Sequence, residues 1–351
     1  MPAVFQVSPF VTAPQARRGR SSCDLVSFGR GHRNKCSPGL QTYTCTFNIR
    51  NSGESATCAS EHRESATAEE VGEAYRRDGF AFGPRVIPVD LLTRVNAGCD
   101  EVLSGIYDTG ISPTEIGFTG DPTQLRKIDN PHFSNRSIAE LVTSPELAQF
   151  LAKALGTSFI QAWMVQLLHK PPAPLDETSP VGNTAVGWHQ DRHYWVPWWT
   201  PESEVLTAWI ALSDVEEDSG PLCFFKGTQE LGYLPEGADF FGAASDEQLE
   251  KMRLHVSTED AHLLEAPVAG VLPAGAFSLH HRLIVHGSKS NVSRKPRRSI
   301  AIHFITEKAM PESGSGGSND LINLQIMKGM LEDKSGCPLM FGSEKDAGYA
   351  L

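Results

Sequence analysis

The chain has 351 residues, enough for one large domain with a sizeable core. Its 40% hydrophobic and 21% charged content is ordinary for a globular protein, and no apolar run approaches the roughly 18–20 residues of a membrane span. The net charge of −11 is uneven: residues 1–66 hold eight Lys/Arg against four acids, while the remainder holds 23 against 38, a body too acidic to track nucleic acid. The seven cysteines form no CxxC pair and match neither a disulfide framework nor a zinc finger. Reduced thiols and an intracellular setting are expected.

Residues 1–66 are rich in Ser, Thr, Arg and Gly, with prolines at 2, 9, 14 and 38. A disordered extension fits this composition. An Arg-rich, acid-poor organellar transit peptide is the alternative, against which those prolines count. The protein is accordingly expected in the cytoplasm, or in a mitochondrion or plastid if the leader is a targeting signal. Order is predicted from Thr67, where Thr67-Ala68-Glu69-Glu70 is a capping box and Gly79 a stop. A second helix is predicted over Val89–Leu103, where Leu91, Leu92, Val95, Cys99, Val102 and Leu103 recur at helical spacing. A third is bracketed by Ser144, Pro145 and Gly156.

From Ser158 the pattern changes to short β runs. Strands are predicted over Phe159–Leu168, Val205–Ser213, Leu222–Phe225, Val271–Leu279, Leu283–Val285 and Ser299–Ile305, and the stretch around His189 also reads as β. The segment from Gly227 to His262 has little β character and one predicted helix, Asp246–Leu254, as lids and substrate loops often do. Helices followed by many short strands give an α+β, mainly β fold, a jelly roll packed on N-terminal helices. The predicted domain covers 67–310, with 311–351 as a C-terminal extension.

Chemistry concentrates in a few residues. His189 and Asp191 lie two apart, so in a strand they share a face and can grip one ion. Trp188, Tyr194, Trp195, Trp198 and Trp199 are expected to wall them off from water. His286 follows 97 positions after His189, in His286-Gly287-Ser288, with His193, His280, His281 and His303 as competitors. Its context favours it, because Gly287 and Ser288 are small enough for a crowded site, and His280 or His281 could orient a ligand. Two imidazoles and a carboxylate on one side of an ion leave the other positions open, which suits non-haem Fe(II) oxygenases. In the strand after Arg297, Ser299, Ala301 and His303 share its face, while Ile300, Ile302 and Phe304 share the face of Arg298. Arg297 is therefore expected inside a cavity, where a guanidinium matches a carboxylate with two parallel hydrogen bonds. The same test turns Thr207 and Trp209 toward the cavity.

At these residues the chain resembles the phytanoyl-CoA dioxygenase family of Fe(II)- and 2-oxoglutarate-dependent oxygenases. The matching passages are Trp188-His189-Gln190-Asp191-Arg192-His193-Tyr194-Trp195, Thr207 to Asp214 through Ser219-Gly220, and His286-Gly287-Ser288 across Asn291 and Ser293 to Arg297. Tyr75–Phe80 fits the family's opening, so the likeness covers about residues 68–310. The resemblance implies a double-stranded β-helix and Fe(II) held by His189, Asp191 and His286. It implies 2-oxoglutarate paired with Arg297, with Trp209, Ser288 and Gln166 in the same pocket, and O2 as the second co-substrate. Asp191 stands where a halogenase-like site would carry glycine or alanine, so hydroxylation of a small organic molecule is favoured, an acyl-CoA or another lipid or secondary metabolite. Two alternatives stay open: a zinc-dependent cupin-like hydrolase or isomerase, and a non-catalytic small-molecule-binding relative.

Overall fold

The Thr67 hydroxyl accepts from the Glu70 amide while the Glu70 carboxylate accepts from the Thr67 amide at 2.8 Å, which satisfies two helix-end donors at once. This cap starts α1 (Ala68–Asp78), which ends at Gly79 with φ 81°. The computed structural model describes residues 65–117, 121–175, 183–195, 198–235, 240–312, 329 and 331–348; the leader over residues 1–64 lies outside them. Helix α2 (Val89–Leu103) buries Leu91, Val95, Cys99 and Val102. Helix α3 (Arg136–Val142) is capped by the Asn135 side chain, and α4 (Pro145–Leu155) runs from the Ser144 cap to Gly156 as expected. Two further helices, α5 (Arg192–Trp195) and α6 (Asp246–Arg253), follow. No helix among the described residues is long and apolar enough to cross a membrane.

The strands in chain order are β1 (Phe80–Gly83), β2 (Glu115–Gly117), β3 (Arg126–Asp129), β4 (Ile160–Lys170), β5 (Val186–His189), β6 (Val205–Ala211), β7 (Leu222–Phe224), β8 (Val268–Ala269), β9 (Phe277–His281), β10 (His286–Ser288), β11 (Arg297–Thr306) and β12 (Leu339–Phe341). The larger sheet has the order β1-β9-β6-β11-β4-β3-β2, with β12 pairing the start of β4. The smaller runs β5-β10-β7-β8. All pairings within both sheets are antiparallel, and the two sheets make the jelly roll. One face of the larger sheet presents Val165, Leu167, Leu206, Ala208, Ile210, Ile300, Ile302 and Phe304, which pack with Val71, Val95, Leu141 and Leu151 of the helices into one buried cluster. Helices cover that face, so the other face is left for the cavity.

Two predicted strands are displaced. The Val271–Leu279 run forms a strand only from Phe277, because Pro273 lacks an amide donor and Gly275, at φ 88°, turns the chain. Leu283–Val285 is a turn closed by the Ile284 amide on the His281 carbonyl at 3.0 Å, and the strand begins at His286 instead. The elements α3, α5, β1, β2, β3, β8 and β12 went unpredicted; each is short, and β2 and β3 carry too few apolar residues to show a period.

Candidate metal centre

Strands β5 and β10 pair with His286 directly opposite His189. This register sets the two imidazoles side by side, with ring centroids 4.2 Å apart. Nδ1 of His189 lies 2.7 Å from the Gly187 carbonyl and Nδ1 of His286 lies 3.0 Å from the Ile284 carbonyl. A carbonyl only accepts, so each ring carries its proton on Nδ1 and turns a bare Nε2 toward its neighbour. Strand β5 stops at His189, and the next residues turn, with the Tyr194 amide donating to the Asp191 carbonyl at 3.0 Å. The expected strand alternation is thus replaced by a turn, which brings Asp191 back to the same point. Its Oδ1 lies 3.6 Å from His189 Nε2 and 3.5 Å from His286 Nε2. All three residues are buried, and their ligand atoms lie within 4.8 Å of one another. One ion about 2.1 Å from each donor would span these gaps. Two neutral nitrogens and one carboxylate oxygen are a donor set that Fe(II) accepts.

The second Asp191 oxygen is also held. Oδ2 accepts from the Thr207 hydroxyl at 2.8 Å, and His280 Nε2 stands 3.3 Å away. Thr207 has one proton and gives it to Asp191, so it accepts from Nδ1–H of His303 at 2.8 Å. His303 Nε2 then faces the cavity with no hydrogen bond from the described residues. Burial pushes the Asp191 carboxyl up, but the surrounding imidazoles of His286, His189 and His280 outweigh it and hold the group well below the usual carboxylate range. Burial, aided by His189, pushes His286 well below the ordinary imidazole value. Both groups are therefore in the protonation state that binds metal.

The cavity continues to Arg297, whose side chain is buried. The guanidinium donates to the Ser299 hydroxyl at 3.2 Å and to the Gly220 carbonyl at 3.0 Å, and lies 5.0 Å from the centre of the Trp209 ring. Burial lowers it to about 9, which leaves it charged at neutral pH. Trp209, Ser288 and Gln166 line the same cavity. Arg298 points the other way, to Asp100 at 2.7 Å.

Residues 75–299 match the family described as Phytanoyl-CoA dioxygenase (PhyH). The chain belongs to the phytanoyl-CoA dioxygenase family. With it, the chain joins the Fe(II)- and 2-oxoglutarate-dependent dioxygenases. It is 27% identical over 212 residues to the protein of Stutzerimonas stutzeri named "Probable alpha-ketoglutarate-dependent hypophosphite dioxygenase", a match covering 59% of this chain and 66% of that one. It is 24% identical over 272 residues to the peroxisomal phytanoyl-CoA dioxygenase of Homo sapiens, covering 72% of each. Among solved structures it shares its fold with the epimerase SnoN in complex with Fe3+, alpha ketoglutarate and nogalamycin RO. That likeness has a TM-score of 0.54 and 20% identity, over 70% of this chain and 85% of that one.

Every residue predicted for this dioxygenase's site lines the one cavity. The expected wall of tryptophans does not. Of the expected aromatic wall, Tyr194 does meet His189, with ring centroids 5.7 Å apart, and Phe240 joins it at 5.6 Å. Trp188 turns away onto Phe225, while Trp195 and Trp199 pack on Trp163. Phe240 comes from the long segment expected to form a substrate loop. The burial of Lys170 was missed, because a lysine closing an apolar strand reads as solvated. Its side chain is buried and donates to the Ser288 hydroxyl at 2.7 Å.

Proposed function

We propose that His189, Asp191 and His286 hold the Fe(II) of this dioxygenase and that Arg297 receives the distal carboxylate of 2-oxoglutarate. When bound, the iron, with 2-oxoglutarate and O2, supplies the oxidising power to convert C–H into C–OH, giving succinate and CO2 as the other products. What the chain contributes is placement. Thr207 and His280 fix the Asp191 carboxylate, and the Nδ1 bonds of both histidines fix their rings. Trp209 and Arg297 stack, so the guanidinium is held ready and little rotamer freedom is lost on binding. Burial keeps water from competing with the bound carboxylate.

The observation that carries the reading is a buried guanidinium, without a carboxylate partner among the described residues, in the same cavity as a two-His, one-Asp cluster. A zinc hydrolase built on the same triad has no use for Arg297. We assign as substrate a small organic molecule with an aliphatic C–H, because Leu125, Val186 and Phe240 give the cavity apolar walls. An acyl-CoA or another lipid or secondary metabolite meets that description, and the small inorganic anion named for the Stutzerimonas relative does not.

The test is succinate formation by the Fe(II)-reconstituted protein against acyl-CoA esters, free acids, amines and terpenoids under 18O2. The expected result is one labelled atom in succinate and one in an alcohol product. Turnover that persists without 2-oxoglutarate, or that survives undiminished in Arg297→Leu, overturns the reading.

A further inference from the structure

Lys170 closes β4 and Arg297 opens β11, and the register makes them direct cross-strand partners. Opposed residues of an antiparallel pair point to the same side. Both side chains are buried, with 0% and 1% exposure. Like charges set opposite one another repel, and burial removes the water that would screen them. Their hydrogen-bond partners are neutral. Lys170 Nζ donates to Ser288 Oγ at 2.7 Å and to the Lys289 carbonyl at 2.5 Å, and Arg297 donates to Ser299 Oγ and the Gly220 carbonyl. Burial, with the Arg297 guanidinium beside it, pushes the Lys170 ammonium well below its ordinary value, and a negative group joining the pair would favour its charged form.

The two converge on Gly220. Its carbonyl takes Arg297, and a Cβ there would stand 3.0 Å from Lys170 Nζ and 2.4 Å from the Lys289 carbonyl oxygen. A side chain at Gly220 would collide with the Lys289 carbonyl that accepts from the ammonium. Ser288 in turn lines the cavity. Because its oxygen accepts from the ammonium, its own O–H is free to turn into the cavity. Lys170 so makes Ser288 a donor, aimed at the space that Arg297 also faces.

We propose that Lys170 is a positioning residue for the co-substrate: by donating to Ser288 it turns the Ser288 hydroxyl toward the place where the distal carboxylate of a 2-oxo diacid is received, and the bound carboxylate favours the charged ammonium behind it. This rests on the role given to Arg297 above. The Arg297 guanidinium and the Lys170–Ser288 pair together select a 2-oxo acid with a second carboxylate over one that ends in a methyl group.

Anaerobic calorimetry on the Mn(II)-loaded protein tests this, with 2-oxoglutarate and with 2-oxopentanoate, which carries a methyl group in place of the distal carboxylate. Wild type should prefer 2-oxoglutarate strongly. Lys170→Met should weaken 2-oxoglutarate binding by about tenfold to a hundredfold and leave 2-oxopentanoate unchanged. Its melting temperature without ligand should not fall, since the repulsion with Arg297 is relieved. Ser288→Ala should lose the same preference, and the double variant should lose no more than either single one. The Ser288→Ala arm decides the matter even if Lys170→Met fails to fold. A preference kept in Ser288→Ala, an additive double variant, or an equal loss of both ligands in Lys170→Met overturns the proposal. If Arg297→Leu abolishes the preference and Lys170→Met keeps it, this inference alone fails. A wild type indifferent to the distal carboxylate overturns the role of Arg297 and this inference with it.

Discussion

Strands β6 (Val205–Ala211) and β11 (Arg297–Thr306) each present two faces, and the faces have opposite chemistry. On one, Leu206, Ala208, Ile210, Ile300, Ile302 and Phe304 pack under helices. On the other, Thr207, Trp209, Arg297, Ala301 and His303 line the cavity. Side chains on a strand alternate, so one backbone can serve both. The difference teaches that stability and chemistry are separated here by a single residue step, and substitutions one position apart should therefore fail in different assays.

The largest contrast comes from the cavity side. Asp191→Ala should reduce iron-dependent 2-oxoglutarate consumption to background while the fold persists, read by succinate release and by circular dichroism. Consumption at the wild-type rate would remove Asp191 from the centre. On the other face, Phe304→Ala should cost about 3–5 kcal/mol of stability, because it empties a fully buried ring site. A urea midpoint measures the loss, and metal affinity below the transition should be unchanged. Loss of both together would erase the separation.

Acid stability sharpens the same division with a ring remote from the cavity. His132 is buried, which pushes it down to about 4 from 6.5, and it contacts the Gly336 carbonyl at 3.0 Å. Its pKa is lower folded than unfolded, so the unfolded state takes up its proton first. The stability it contributes is complete above about pH 6.5 and is lost as pH falls toward 4, on the order of 3 kcal/mol. His132→Gln should flatten that acid limb in melting curves taken between pH 7.5 and 4.5. An unchanged limb would show that His132 is not its source. The smallest effect is expected from Thr207→Val, which removes the hydroxyl held against Asp191 at 2.8 Å. Metal affinity should fall by about 10–100-fold with little change in the melting temperature. An unaltered affinity would show that Asp191 needs no such support.

Much of this was legible in the sequence for definite reasons. Helix ends at Thr67, Gly79, Ser144 and Gly156 were readable because caps are local chemistry. The facing of Arg297, Thr207 and Trp209 was readable because alternation needs only a correct strand assignment. Less was visible where tertiary contact decides. The turn that returns Asp191 to His189, the start of β10 at His286, and the burial of Lys170 opposite Arg297 all depend on pairings between segments far apart in the chain. The tryptophans misled because aromatic content near a motif says nothing about which side of the backbone each ring takes.

The central claim is that three side chains distant in sequence bind one iron. Anaerobic Fe(II) titration of the wild type, of His189→Ala, Asp191→Ala and His286→Ala, and of His193→Ala as a neighbouring control tests it most directly. The account predicts one ion per chain in wild type and in His193→Ala, with affinity sharply weakened in each of the other three. Wild-type affinity in His286→Ala would contradict it.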